Sequence, residues 1–158
     1  MEFSYLFKEG HIAKLQVPNR LVMAPMCTSL SFPGGLISER LIDYYGARAR
    51  SGIGLIITEY LCVDSPVGLA KTSQLILDND DVIDSHNFLT ERVHRFNDCK
   101  IIAQLHHAGR ETTRLITKGR QPVSPFNVPT DKFPDKTHEL TAPEIKAISI
   151  KFGEAAYR

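Results

Sequence analysis

The sequence predicts an α/β fold with parallel strands, and three observations carry that prediction. Short, nearly continuous apolar runs at residues 21–24, 53–58 and 100–105 read as strands covered on both faces. Each run is followed by a stretch whose apolar residues recur at helical spacing. The resulting order (strand, helix, strand, helix, strand, helix) calls for helical crossovers, which join parallel strands. A doubly wound sheet and a (β/α)₈ barrel both satisfy that order.

Taken in turn, residues 1–20 read as an amphipathic hairpin, with Gly10 as one turn, Ile12, Leu15 and Val17 as an alternating run, and Pro18-Asn19 as a second turn. The first buried strand, residues 21–24, is halted by Pro25. After a loop holding Pro33, Gly34 and Gly35, Ser38 is a plausible N-cap for a helix carrying Leu41, Ile42, Tyr45 and Ala49, with Gly52 as its stop. The second strand spans residues 53–58. A Ser-, Pro- and Gly-rich loop precedes a helix opened by Asp80 and Asp81, acidic residues that suit the positive end of its dipole. Its buried stripe is Val82, Leu89, Val93 and Phe96. The third strand covers residues 100–105. Residues 108–140, with four prolines, form a long β3–α3 connection of the kind that is often functional. Thr141, Pro143 and Glu144 then make a capping box for a final helix whose apolar face is Ile145, Ile148, Phe152 and Ala155.

Composition narrows the function. The 158 residues suit one domain, and 42% apolar with 23% charged residues can bury a core. A net charge of +1 supplies no broad footprint for nucleic acid or an anionic membrane surface. No apolar run is long enough to span a bilayer, and the N-terminus shows no secretory leader, so a cytoplasmic protein is expected. Cys27, Cys62 and Cys99 are widely spaced and include no CxxC pair, which argues against a disulfide framework and against a metal site. Neither a G-x-G-x-x-G nor a G-x-x-x-x-G-K-[ST] phosphate loop occurs.

In either architecture, ligands gather beyond the C-terminal strand ends. Those ends read Pro25-Met26-Cys27, Glu59-Tyr60 and Gln104-Leu105-His106-His107-Ala108-Gly109-Arg110. Each residue has a bland reading beside the functional one. Cys27 is also a small hydrophobe, Tyr60 a packing aromatic, and Arg110 a loop brace. Gln104 is more informative, because an amide inside an apolar strand needs partners or costs about 1–3 kcal/mol. A flavin or pyrimidine edge would satisfy it, as would neighbouring backbone. Strand alternation puts Ile102, Gln104 and His106 on one face and His107 on the other. His106 is therefore the pocket candidate and His107 the structural one, while His86 and His94 read as surface or partly buried helix residues.

These same segments carry a family resemblance. Asn19-Arg20-Leu21-Val22-Met23-Ala24-Pro25-Met26 resembles the N-R-[IVL]-x-x-[AS]-P-M opening of the Old Yellow Enzyme family, the FMN-dependent NADH:flavin oxidoreductases and ene-reductases. Gly54-Leu55-Ile56-Ile57-Thr58-Glu59 resembles its second strand, the 104–110 segment its Q-L-x-H-x-G-R, and Leu140-Thr141-Ala142-Pro143-Glu144-Ile145 its capped helix. The resemblance implies a TIM (β/α)₈ barrel, of which residues 1–158 would supply the N-terminal hairpin and about three β/α units. A whole barrel takes about 250 residues.

By the same resemblance, Pro25 and Met26 would lie against the flavin ring of FMN. Cys27 would tune it by hydrogen bonding, Tyr60 would narrow the site, Gln104 would bond the pyrimidine edge, and His106 would face substrate. The implied reaction passes hydride from NAD(P)H through the flavin to an electron-poor alkene such as an α,β-unsaturated carbonyl. The family's H-x-A-H/N-G-Y-L segment, which supplies the carbonyl-binding pair and the proton-donating Tyr, does not occur here. Nor do the phosphate-binding loops of the last strands or a cysteine cluster for iron–sulfur. No catalytic residue is thus expected within this chain, and activity is expected only from a complete barrel. Two alternatives stand beside this reading. One is a non-enzymatic half-barrel or assembly partner that pairs through its open sheet edge, as an oligomer or with the rest of the barrel. The other is a thiol redox protein using Cys27, against which the lack of a nearby resolving cysteine speaks.

Overall fold

The computed structural model describes residues 3–96, 98–128 and 130–158. Met1 and Glu2 of the predicted hairpin, Asn97 after the second helix and Pro129 of the long connection lie outside the described residues.

The chain opens with an antiparallel hairpin of β1 (Gly10–Ile12) and β2 (Leu15–Val17), in which Gly10 faces Val17. Its turn lies between these strands, where Ala13 takes a φ of 51°. Gly10, expected as the turn, is instead the first strand residue. The hairpin leads to β3 (Val22–Met23), shorter than the run at 21–24 suggests because Ala24 and Pro25 leave the sheet. Asn19 fixes this entry. Its Oδ1 accepts from the Leu21 N–H at 3.0 Å and its Nδ2 donates to the Gly52 carbonyl at 2.7 Å. Gly54 must be glycine here, since a Cβ would sit 2.7 Å from the Asn19 carbonyl oxygen.

Helix α1 (Glu39–Arg50) starts as predicted, with Ser38 Oγ accepting from the Leu41 N–H at 3.2 Å. Leu41, Tyr45 and Ala49 are buried, and Gly52 ends the helix region at φ +91°. Strand β4 (Leu55–Cys62) runs parallel to β3 and continues four residues past the expected end at 58. From Tyr60 on, the added residues pair with β6, and β4 carries a bulge before them. Ile57 faces Ile102 and Tyr60 faces Gln104, so three steps on β4 match two on β6 (Lys100–His106). Thr58 and Glu59 occupy the bulge and are both buried, in keeping with a strand covered on both faces.

The loop expected after β4 contains a short helix, α2 (Ser65–Gly68), and a two-residue strand, β5 (Leu75–Ile76), parallel to the end of β4. Asp80 and Asp81 open a 3-10 turn, capped when Asn79 Oδ1 accepts from the Asp81 N–H at 3.0 Å; α3 (Ile83–His94) follows. Val82, Leu89 and Val93 are buried, whereas Phe96 lies past the helix end and packs partly against the core. The 108–140 connection is not structureless either. It holds a small parallel pair, β7 (Val123–Ser124) and β8 (His138–Glu139).

Helix α4 (Ala142–Tyr157) begins at the predicted capping box. Glu144 Oε2 accepts from both the Thr141 N–H and hydroxyl at 2.7 Å, contacts that hold the Glu144 carboxyl down at about 2, with His138 adding to the effect. Only the C-terminal part of the predicted apolar face is covered. Ala155 is buried, Phe152 and Ile148 are half-buried, and Ile145 is exposed. The core joins α1 and α3 to one face of the sheet through Leu41, Tyr45, Ile56, Leu61, Leu89 and Val93. Among the described residues, β6 pairs with β4 alone, and no helix is long and apolar enough to cross a membrane.

Candidate functional site

The predicted rim residues collect around the ends of β3, β4 and β6, and the bulge in β4 decides how. Tyr60 and Gln104 face each other across the strand pair, and Cys62 faces His106. The Tyr60 ring lies over the His106 imidazole, with centroids 4.7 Å apart and planes tilted by 38°. Burial, followed by the neighbouring Cys27 thiol, pushes the Tyr60 phenol well above its ordinary value. Cys27 is half-buried, with its Sγ 3.6 Å from Ser29 Oγ. Cys27, Tyr60, Gln104 and His106 therefore converge, as their strand-end positions imply.

Gln104 departs from expectation in one respect. It is half-buried, not enclosed, because β6 is an edge strand and its neighbour Ile102 is 38% exposed. Its backbone N–H reaches Thr58 Oγ1 at 3.3 Å. Its side-chain amide makes no hydrogen bond to a described residue, so the donor and acceptor both remain available on the open face. Met26 is likewise 56% exposed and Pro25 half-buried.

Residues assigned no role from sequence turn out to build the site's frame. Glu59, 1% exposed, sends Oε2 to both the backbone N–H of Thr28 (2.8 Å) and the Thr28 hydroxyl. This holds the residue after Cys27 against β4. The Glu59 backbone N–H donates to Tyr45 Oη at 2.7 Å, and its Oε1 is buried without a partner. A charged residue joined to an apolar run was the available signal, since such a residue is rarely buried unless paired. Gln74 is also 1% exposed and lies 3.2 Å (Nε2) from His106 Nδ1. Nothing in the Lys-Thr-Ser-Gln run that contains it marks it in sequence.

His107 faces away from this group, as alternation predicts. Its Nδ1 accepts the Gly109 N–H at 3.0 Å, which leaves the proton on Nε2, directed at Asp64 Oδ2 from 3.8 Å. Lys151 of α4 reaches the same oxygen at 2.8 Å. Burial pushes the Asp64 carboxyl up, but the facing His107 and the Lys151 ammonium together hold it below the usual carboxylate range. Gly68 packs against this imidazole, with room for no Cβ (2.8 Å to His107 Cδ2). His86 Nε2 is bonded to the Ile76 carbonyl at 3.1 Å, and His94 is exposed. Arg110 braces the long connection by donating to the Val128 carbonyl at 3.1 Å. Among the described residues, no group of three or more His, Cys, Asp or Glu side chains could hold a metal ion.

Residues 5–158 match the model of the NADH:flavin oxidoreductase / NADH oxidase family. The chain belongs to that family. It is similar to the NADH oxidase of Thermoanaerobacter brockii, with 49% identity over 156 residues, which is 99% of this chain and 24% of that protein. It is 34% identical to a metal reductase of Desulforamulus reducens over 98% of this chain and 22% of that one. The chain thus spans about a quarter of the length of these two curated relatives. Among solved structures, it superposes on morphinone reductase in complex with tetrahydroNAD with a TM-score of 0.84 at 25% identity, covering 96% of this chain and 45% of that one. The Old Yellow Enzyme homologue from Zymomonas mobilis matches with a TM-score of 0.84 at 26% identity, over 96% and 44% of the two chains. The α/β fold accordingly matches a little under half of each of these Old Yellow Enzyme-type TIM barrels, and the family to which the chain belongs consists of oxidoreductases that use FMN and NAD(P)H.

The side chains present suit such a cofactor. A free amide, with one donor and one acceptor, beside a protonated phenol and a thiol matches the alternating donors and acceptors of a flavin's pyrimidine edge.

Proposed function

We propose that residues 1–158 form the N-terminal hairpin and first three β/α units of an FMN-binding (β/α)₈ barrel. In this reading the chain supplies the flavin-ring side of a site for NAD(P)H-dependent reduction of an electron-poor alkene, such as an α,β-unsaturated carbonyl. The observation that carries the reading is the unpartnered Gln104 amide facing Tyr60 across the β4–β6 bulge, on the open side of the sheet. A ring with complementary groups would exchange the water on that amide for paired hydrogen bonds, a net gain of about 0.5–1.5 kcal/mol for each bond.

Each residue then has a distinct task. Gln104 donates to and accepts from the pyrimidine edge. Cys27, held in place through Thr28 by Glu59, offers a thiol hydrogen bond beside the ring, and Pro25 and Met26 provide backbone against it. Tyr60 stays protonated and narrows the space, while His106 lines the substrate side. FMN, when bound, supplies the hydride chemistry that no side chain can. The catalytic acid and the phosphate grip belong to the remainder of the barrel.

A second reading, a non-enzymatic assembly partner, is favoured by the unpaired edge of β6 and by exposed Val22, Ile102 and Ile150. The two separate by titrating the purified chain with FMN while following flavin absorbance, NAD(P)H oxidation and molar mass by light scattering. The proposed function predicts weak, Gln104-dependent binding and negligible enoate reduction. Robust turnover by the 158-residue chain would refute the division of labour, and stable self-association with no flavin response would favour the second reading.

A further inference from the structure

Gln74 and His106 form a pair whose proton positions can be deduced without ambiguity. The Ala70 backbone N–H donates to Gln74 Oε1 at 2.7 Å, which identifies that atom as the carbonyl oxygen because a backbone N–H can only donate. The other amide atom, Nε2, is therefore the one 3.2 Å from His106 Nδ1. An amide nitrogen also only donates, so Nδ1 must accept, and the single proton of a neutral imidazole must sit on Nε2. His106 Nε2 has no bond to a described residue, yet it is not among the buried atoms left without a partner. It therefore keeps some contact with solvent.

We propose that Gln74 is a positioning residue that fixes the tautomer of His106, so that its imidazole presents an Nε2–H donor to the carbonyl oxygen of an organic ligand. The ligand class rests on the function proposed above; the tautomer does not. Several features hold the arrangement in place. Gln74 is almost completely buried and both of its amide atoms are bonded, so it cannot flip without losing two hydrogen bonds. The Tyr60 ring over the imidazole restricts its rotation. The groups facing His106 are the Tyr60 phenol and the Cys62 thiol on β4, and His107, the residue after β6, with Asp64 and Lys151 behind it. Burial, then His107, lowers the His106 pKa, which favours the neutral ring. A neutral donor suits a neutral carbonyl, whereas an imidazolium would select anions.

Gln74 also sits where two surfaces meet. Besides His106, it lines a groove of about 320 Å³ together with Leu69, Ile76, Ile116, Lys118 and Arg120. None of Cys27, Tyr60, Gln104 or His106 lines that groove, so Gln74 is the residue it shares with the His106 side.

The test is ¹⁵N–¹H correlation spectroscopy of the histidine rings in the full 158-residue chain. In the wild type, His106 should carry its proton on Nε2; a proton on Nδ1 overturns the proposal. Gln74→Glu keeps an acceptor for the Ala70 N–H and places a second acceptor on His106 Nδ1. It should therefore move the proton to Nδ1 or yield the imidazolium, with a raised His106 pKa. Gln74→Leu, which cannot donate, should give a mixture of tautomers and covers the case in which the glutamate variant does not fold. An unchanged Nε2–H tautomer in both variants overturns the positioning role. With FMN bound, and at a pH where the His106 ring is neutral in both proteins, 2-cyclohexen-1-one should shift the His106 Nε2 resonance in the wild type and not in Gln74→Glu; equal shifts, or none in either, overturn the donor assignment. The Nε2–H tautomer without any flavin response would leave the positioning role standing and count against the proposed function instead.

Discussion

Glu59 and Thr28, thirty-one positions apart, are joined through one carboxylate oxygen that takes both the backbone N–H and the hydroxyl of the threonine. The clamp secures an irregular segment in which Ser29 adopts a φ of 57°, unusual for a residue other than glycine. Removing it leaves the Thr28 N–H without its acceptor and opens a void where Glu59 was buried. Glu59→Ala should therefore lose about 2–4 kcal/mol of stability. Urea denaturation measures this, and a loss below about 0.5 kcal/mol, the scale of an ordinary surface substitution, would show that the clamp carries no weight.

The three thiols should behave unequally. Burial pushes Cys62 up to about 12 and Cys99 up to about 11, and both are inaccessible, whereas Cys27 is half-exposed. At pH 8 only on the order of one in 10⁴ Cys62 side chains would be thiolate, the reactive form. A brief iodoacetamide treatment at that pH should label Cys27 alone, as read by peptide mass spectrometry. Labelling of Cys62 at a comparable rate in the native chain would contradict the packing around β4.

The same burial gives an alkaline limit to stability. An acid whose folded pKa is raised stabilises the fold fully below its unfolded pKa, and this contribution is lost as pH rises toward the folded value. For Cys62 the loss should run from about pH 8.5, the reference thiol value, up to about 12. Cys62→Ala should flatten the decline of thermal midpoint across this window. A variant that declines as steeply as the wild type would assign the loss to other groups.

Asp64 acts in the opposite direction. Its carboxyl sits below the usual range when folded, so its contribution is present above the unfolded pKa near 3.9 and is lost as pH falls through the lower folded value. Lys151→Met removes the 2.8 Å partner. Because the lysine side chain is 42% exposed, the expected cost at neutral pH is about 1 kcal/mol, less than for a fully buried pair. The acid limb of the stability profile should become shallower, and an unchanged limb would exclude the ion pair as its source.

Much of the frame was legible in the sequence because it follows local rules. Ser38, Thr141 and Glu144 cap where cap chemistry requires, and Leu41, Tyr45, Val82, Leu89 and Val93 lie buried where helical spacing places them. The strand-end residues Cys27, Tyr60, Gln104 and His106 were also findable, because parallel strands deliver their C-terminal ends to one edge. What stayed hidden depended on register. The β4 bulge adds a residue that no alternation pattern reveals, and Glu59 meets Thr28 across thirty-one positions with no local signal. Gln74 pairs with His106 across thirty-two positions through side chains alone, and no local signal reports that. The exposure of Gln104 goes with β6 pairing with β4 alone among the described residues, as the open sheet edge of three β/α units implies.

The central claim is that this chain holds the ring of a flavin and not its phosphate. Titration with FMN and with lumiflavin, which carries the ring system without the ribityl phosphate, separates the two most directly. Flavin absorbance should report affinities within about twofold of each other, and Gln104→Leu should abolish both responses. FMN binding more than tenfold tighter than lumiflavin, equal binding by Gln104→Leu, or no response to either flavin would contradict the account.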